Sequence, residues 1–182
     1  MDFRTLREDE IDVRISQCKE SYVTLLLYKD ARGDMNILDE TVGPMNWQRT
    51  HTRENANCIV SIWDKEKQQW VSKEDTGVES FSQKEKGLAS DSFKRACFNW
   101  GIGRELYTAP EIKIWVKDKS GTEIVKVFET ERKDQYGKKV YGTYDTFKVQ
   151  RIIYNKNKNI IGLRILNQDN KIVFEYLNKE EY

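Results

Sequence analysis

The clearest helical pattern in the chain covers residues 82–107. At about 100° per residue, apolar side chains gather on one face of this segment and polar ones on the other. The apolar face comprises Leu88, Ala89, Phe93, Ala96, Cys97 and Trp100. The opposite face comprises Asp91, Lys94, Arg95 and Phe98. We predict a central helix with a Ser82–Glu85 capping box at its start and Gly101, followed by Gly103, at its end.

Upstream, short apolar runs alternate with polar clusters. Residues 22–28 (YVTLLLY) are rich in β-branched, aromatic and aliphatic side chains, which predicts a strand buried on at least one face. We expect Asp34 to cap a second helix that ends at Gly43. Residues 2–15 mix apolar and charged positions, so they fit either a short amphipathic helix or an extended arm.

A period of two begins at residue 45 and predicts a β-meander leading into the central helix. The predicted strands are residues 45–52, 56–63 and 69–75, with a turn at 64–68. In the middle strand, Cys58, Val60 and Ile62 fall on one face. The fold class we predict is therefore α+β, with a β-β-β-α core.

Beyond Pro110 the pattern is that of strands and hairpin turns. The predicted strands are residues 111–117, 122–130, 147–154, 159–166 and 171–177. Residues 155–159 and 167–170 have the composition of tight turns. We expect this segment to form an additional antiparallel sheet, as an extension of the first sheet or as a subdomain. The predicted domains are residues 1–110 and 111–182.

Within that segment, cations and aromatic rings are interleaved. The cations are Lys138, Lys139, Lys148, Arg151, Lys156, Lys158, Arg164 and Lys171, and the rings are Tyr141, Tyr144, Phe147 and Tyr154. Such a sheet suits single-stranded nucleic acid, because cations contact phosphates while rings stack on bases. An ordinary solvated edge protected by lysines has the same composition. Both interpretations stay open.

Composition narrows the class of protein. The chain has 31 Lys and Arg against 30 Asp and Glu, a net charge of +1, so any nucleic-acid site must be a local patch. Three well-separated cysteines, Cys18, Cys58 and Cys97, suit reduced core thiols in a cytoplasmic protein. We expect no membrane association, because no apolar run is long enough to span a bilayer and residues 1–10 lack a signal-peptide pattern.

The polar face of the central helix is the strongest candidate site. Phe98 lies one turn beyond Lys94 and Arg95, so a ring and two cations share one surface. This combination can bind single-stranded nucleic acid or pack against a second subunit. A solvated helix face with one exposed aromatic residue explains the pattern as well.

Other motifs have weaker support. Glu111 and Lys113 have the carboxylate-x-lysine spacing of metal-dependent nucleases, yet alternation on a surface strand gives the same spacing. His51, the only histidine, has no carboxylate or nucleophile near it in sequence. The chain contains no glycine-rich Walker loop, so ATP-driven strand exchange has no support.

Residues 74–110 resemble the signature region of the Rad-fifty-two/Rad-twenty-two family of single-strand annealing proteins, in particular its phage and bacterial branch. The shared motifs are an acidic-Thr-Gly lead-in, SDSFKRA in the middle and the closure WGIGRELYTAP. The resemblance extends upstream through residues 22–48. It implies ATP-independent annealing of complementary strands in recombination and repair, by an oligomeric ring or filament without a cofactor and without enzymatic activity.

The resemblance also implies DNA-binding residues. Lys94 and Arg95 match a Lys-Arg pair that lines the inner DNA groove in the family, and Arg32 falls near another groove arginine. Phe98 stands where eukaryotic members carry a further arginine, so stacking replaces part of the ionic contact there. Lys84 and Arg104 are secondary candidates. The implied partners are single-stranded DNA, other copies of the chain, and a phage exonuclease or single-strand-binding protein.

Three alternatives belong to other classes of protein. A monomeric single-strand-binding module would bind DNA without accelerating annealing. A metal-dependent nuclease would degrade DNA with magnesium and depend on Glu111. A purely structural oligomer would not respond to DNA or to loss of Lys94 and Arg95.

Overall fold

The computed structural model describes residues 1–78 and 84–178, and the side chains of residues 84–86 also lie outside the description. The fold is α+β, as predicted. The helices are α1 (Ala31–Val42) and α2 (Lys84–Trp100). The strands are β1 (Ile11–Cys18), β2 (Tyr22–Lys29), β3 (Trp47–Thr52), β4 (Asn57–Asp64), β5 (Gln69–Thr76), β6 (Ile112–Trp115), β7 (Phe128–Lys133), β8 (Lys139–Gly142), β9 (Phe147–Tyr154), β10 (Ile160–Asn167) and β11 (Ile172–Leu177). In the described part of the chain, neither helix has the length and apolar character needed to cross a membrane.

The chain forms two compact units, and the first contains residues 1–6 and 29–104. Here β3, β4 and β5 form an antiparallel sheet in that order, and α2 packs against β4 and β5. This confirms the predicted β-meander and central helix. The core follows the predicted faces: Cys58, Val60 and Ile62 of β4 are buried with Phe93 and Cys97 of α2.

The helix α1 begins earlier than predicted. Its N-cap is Asp30, whose carboxylate accepts a 2.5 Å hydrogen bond from the Arg32 amide. The prediction that Asp34 caps this helix was wrong, because Asp34 lies inside the helix with its side chain fully buried. The predicted end is confirmed: Gly43 has φ of 87°, a backbone conformation that favours glycine.

The chain turns sharply after α2, as the two glycines predict. Gly101 has φ of 104° and Gly103 has φ of 81°. The Gly101 amide bonds the Phe98 carbonyl, and the Ile102 amide bonds the Cys97 carbonyl, which satisfies two carbonyls in the last turn. The Ser82–Glu85 capping box predicted for the other end lies outside the described residues.

The second unit contains residues 7–28 and 105–182. Its main sheet has the strand order β11-β10-β9-β1-β2-β6, and the end strands β6 and β11 approach each other. The sequence pattern predicts one domain over residues 1–110, whereas residues 7–28 belong to the sheet of this unit. Residues 2–15 are neither an amphipathic helix nor an arm throughout: they contain a 3-10 turn at Glu8–Glu10 and the start of β1.

Most predicted elements after Pro110 are present. Strands β9, β10 and β11 match their predicted positions within one residue, and the two predicted turns close their hairpins through bonds such as Asn155 amide to Asn159 carbonyl. The strand predicted at 122–130 is only partly correct. The strand there is β7, which starts at Phe128 and pairs with β8 in a separate two-stranded ribbon.

Candidate nucleic-acid interface

The polar face of α2 carries two of the predicted cations. The Arg95 side chain is exposed, and its Nε lies 3.6 Å from Oδ1 of Asp75 on β5. Lys94 is half-buried on the preceding helical position. Because Arg95 is exposed and Asp75 is only half-buried, the pair contributes at most about 1 kcal/mol to stability. A phosphate can therefore replace the Asp75 carboxylate as the partner of Arg95 at small energetic cost.

Arg32 and Lys94 act on the same carboxylate, although they come from different helices. An Arg32 side-chain nitrogen lies 3.2 Å from Oδ2 of Asp30. Burial raises the pKa of Asp30, but hydrogen bonds from Arg32 and the charges of Arg32 and Lys94 outweigh it, so the pKa is lowered. Arg32 therefore contacts Asp30 directly, while Lys94 acts on the same carboxylate only through its charge.

Phe98 and Arg104 form a unit at the C-terminal end of α2. The Arg104 guanidinium lies 5.5 Å from the centre of the Phe98 ring. It also donates hydrogen bonds to the Phe98 carbonyl at 2.8 Å and the Asn99 carbonyl at 2.9 Å. Arg104 therefore caps the negative end of the helix dipole. Phe98 is half-buried, not fully open to a ligand as its position on the polar face suggested.

A buried ion pair connects the start of α1 with the turn after α2. The Lys29 ammonium donates to Oδ1 of Asp34 at 2.5 Å and to the Ile102 carbonyl at 2.8 Å. Both charged side chains are buried. This contact fixes the position of α1, and of Arg32 in its first turn, relative to the end of α2. The only sequence signal for it was the helical phase of Asp34, which shares the buried side of α1 with Ile37 and Leu38.

His51 has a structural contact. Its Nδ1 lies 3.4 Å from Oγ of the buried Ser92, which also donates to the Asn55 carbonyl at 3.0 Å. Burial, together with the charge of Arg49, lowers the pKa of His51 and favours its neutral form. His51 and Ser92 thus link β3 to α2 inside the first unit.

Several cations of the predicted C-terminal platform have partners. Lys139 pairs with Glu129 at 2.8 Å, the Arg164 Nε with Glu175 at 2.7 Å, and Lys148 with Asn170 at 2.7 Å. Tyr154 is half-buried, and burial raises the pKa of its hydroxyl.

Glu111 and Lys113 have different surroundings in the structure. Glu111 is exposed just before β6, whereas the Lys113 ammonium lies over the rings of Tyr22 and Trp115. Among the described residues, no group of three or more His, Cys, Asp or Glu side chains is placed to hold a metal ion.

Comparison with known proteins finds no relative of this chain. The chain matches no protein-family model, and no curated protein or solved structure is significantly similar to it. The candidate interface therefore depends on its own geometry. Of the six predicted residues, Arg32 pairs with Asp30, Lys94 influences the same carboxylate through its charge, Arg95 pairs with Asp75, and Phe98 packs with Arg104. The side chain of Lys84 lies outside the described residues.

The sequence did not indicate the acids of this interface. Asp30 and Asp75 hold Arg32 and Arg95, so they decide how much positive charge a ligand meets. A helix N-cap signal is present at Asp30, but the sequence pattern favours Asp34 as the cap. No local pattern pairs Asp75 with Arg95, since they approach only when β5 packs on α2.

Proposed function

We propose that this protein binds single-stranded DNA and anneals complementary strands without ATP, acting as an oligomer in recombination and repair. The observation that carries the proposal is that the first unit presents two exposed cations from different helices, Arg32 and Arg95, with Lys94 next to Arg95. Support also comes from the resemblance of the segment around Lys94 and Arg95 to the signature of single-strand annealing proteins.

The charges of this interface suit a single strand whose bases must remain free to pair with a second strand. Cations that contact phosphates leave base edges exposed, so a second strand can test its register against the bound one. The acids Asp30 and Asp75 compete with phosphate for Arg32 and Arg95. This competition keeps binding reversible, which a search for complementary sequence requires.

The proposal includes a cellular setting. We place the protein in the cytoplasm as a non-enzymatic homo-oligomer that acts on single-stranded DNA. A phage exonuclease or single-strand-binding protein would supply or cover its substrate.

A stopped-flow annealing assay with two dye-labelled complementary oligonucleotides, without ATP, tests the proposal. We expect the wild type to accelerate annealing and Lys94→Ala/Arg95→Ala to lose at least about tenfold of that acceleration. Loss of two phosphate contacts should also reduce the slope of log affinity against log salt by about 1.4 for a single strand. The matched control is Lys65→Ala/Lys67→Ala, which removes the same charge from the β4–β5 turn of the first unit.

Other outcomes would favour the competing functions. Tight, salt-sensitive binding without faster annealing would indicate a single-strand-binding module. Magnesium-dependent degradation that is lost in Glu111→Ala would indicate a nuclease. If the wild type neither binds nor anneals oligonucleotides at any salt concentration, the proposed function is wrong.

A further inference from the structure

Large side chains cover the outer face of β2 and β6 in the second unit. Tyr22 lies directly opposite Trp115, and their ring centres are 5.8 Å apart in an edge-to-face arrangement. Tyr28 follows on the same side of β2, because side chains alternate along a strand. We call Tyr22, Tyr28 and Trp115 the aromatic sheet face. Trp115 is 56% exposed and Leu26, between the two tyrosines, is 59% exposed.

These rings are not needed to fill the core. The alternate positions of the same strands, Val23, Leu25, Ile112 and Ile114, are all buried and supply the apolar interior. The outer face of a sheet ordinarily carries polar side chains, so a row of exposed and half-buried aromatic residues with the exposed Leu26 among them indicates an interaction site.

Each ring of this face has a cation against it. The Arg14 guanidinium lies 3.7 Å from the centre of the Tyr28 ring. The Lys113 ammonium lies 4.0 Å from the Tyr22 ring and 4.6 Å from the Trp115 ring. In a cation–π contact the neutral ring does not cancel the charge of the cation, although the cation covers the face of the ring on which it lies. The aromatic sheet face therefore presents stacking surfaces and positive charge together.

We propose that the aromatic sheet face binds single-stranded nucleic acid. Rings of this kind stack on bases of any sequence, and the neighbouring cations match the charge of the phosphates. Tyr22 and Tyr28 are six positions apart on β2, about 20 Å at about 3.3 Å per residue, which accommodates several nucleotides. The proposal deepens the proposed function, on which it rests for the class of ligand, by adding a contact in the other unit.

The test measures binding of a dye-labelled oligothymidylate to the full chain by fluorescence anisotropy. We expect Trp115→Ala and Tyr22→Ala each to weaken binding about tenfold. Trp115→Phe should restore most of the affinity, because it keeps a stacking ring. The matched control is Tyr136→Ala, which removes an exposed aromatic ring from the turn between β7 and β8 and should leave affinity unchanged.

A second measurement does not depend on the folding of any variant. Irradiation of the wild-type protein with an oligonucleotide carrying iododeoxyuridine, followed by mass spectrometry, should locate cross-links at Tyr22, Tyr28 or Trp115. Cross-links confined to other residues, with unchanged affinity of Trp115→Ala, would overturn the proposal. A smaller oligomer for Trp115→Ala with unchanged DNA affinity would also overturn it, and would assign this face to a second copy of the chain.

The outcome of this binding test can be distinguished from the outcome of the annealing assay. If the wild type binds oligonucleotide through Trp115 but does not accelerate annealing, the aromatic sheet face is a binding site and the proposed function fails. If annealing depends on Lys94 and Arg95 while loss of Trp115 has no effect on binding, the proposed function is supported and this inference fails.

Discussion

The polar face of α2 and the aromatic sheet face hold their cations in different ways. Arg95 on α2 has a carboxylate partner, Arg104 just after α2 has carbonyl partners, and Arg32 at the start of α1 pairs with Asp30. On the sheet, Arg14 and Lys113 lie over aromatic rings. A phosphate must compete with an acid for Arg32 and Arg95, whereas it meets Arg14 and Lys113 with their charge uncompensated by those rings. The two surfaces should therefore differ in their response to loss of an acid and to loss of a ring.

The interactions that hold the two surfaces in position differ as well. The position of α1 beside α2 depends on the buried contact of Lys29 with Asp34 and Ile102. The aromatic sheet face depends on strand pairing, in which Tyr22 faces Trp115 and Thr24 faces Lys113. A single substitution can remove the first support, while strand pairing is distributed over many backbone bonds.

The largest expected effect is that of Asp34→Ala. The substitution leaves the Lys29 ammonium buried without its carboxylate, and we expect the free energy of unfolding to fall by about 3–5 kcal/mol. Urea denaturation measures it. The control is Asp12→Ala on β1, an exposed position where the change should stay within about 0.5 kcal/mol. Equal midpoints for both variants would contradict the role of the buried pair.

A smaller effect is expected for Gly103→Ala. A Cβ at this position would lie 2.7 Å from Cδ of Lys29, a side chain already fixed by its ion pair. The control is Gly101→Ala, which also has positive φ but where an added Cβ would meet no atom within 4 Å. Both variants lose about 1–2 kcal/mol through their backbone conformation, and Gly103→Ala should lose about 1–3 kcal/mol more. A lower unfolding temperature for Gly101→Ala than for Gly103→Ala would contradict this prediction.

Loss of an acid should strengthen DNA binding at α2. Asp75→Asn removes the charge that faces Arg95, so we expect a gain in oligonucleotide affinity of up to about fivefold, the equivalent of about 1 kcal/mol. Anisotropy titrations at low and high salt measure it, and the gain should shrink at high salt. The control is Glu129→Gln, which removes the carboxylate facing Lys139 in the second unit. An equal gain in the control would mean that net charge alone is responsible.

A prediction about pH dependence concerns the thiols, which report on the two units separately. Burial raises the pKa of Cys58 to about 11, so the folded state holds this proton more tightly than the unfolded chain does. The stabilisation is complete below the thiol pKa of the unfolded chain and is lost as pH rises towards about 11. We therefore expect the free energy of unfolding to fall between about pH 9 and about pH 11, and to fall less in Cys58→Ala.

The burial of the thiols also sets the order in which they react with an alkylating reagent. Cys18 on β1 is half-buried, whereas Cys58 and Cys97 are buried. A thiol reagent at pH 8 should modify Cys18 first, and mass spectrometry identifies the site. Earlier modification of Cys58 would show that the first unit opens more readily than its buried core indicates.

The elements of the fold could be predicted because their signals are local. The alternation of apolar positions gave β3, β4 and β5 within two residues, and the period of 3.6 gave the buried face of α2 with Phe93 and Cys97. Positive φ at Gly43, Gly101 and Gly103 follows from the absence of a side chain in glycine.

The arrangement of those elements could not be predicted in the same way. Nothing in the sequence of β1 and β2 shows that β1 pairs with β9, because strand pairing joins segments distant along the chain. The sequence pattern consequently groups residues 7–28 with the first unit. Arg104 shows the same limit, since its bonds to carbonyls of α2 depend on the path of the turn after the helix.

The sequence by itself determined most of the helices and strands, the buried faces of β4 and α2, and the set of cations from which the candidate interface is built. Only the tertiary structure decided which partner a cation meets on another element: Asp75 for Arg95 and the Ile102 carbonyl for Lys29. The periodicity of apolar residues shows which side of a helix or strand is buried. The partner of a charged group depends on which other element comes within about 4 Å, and that distance is set by the packing of the whole unit.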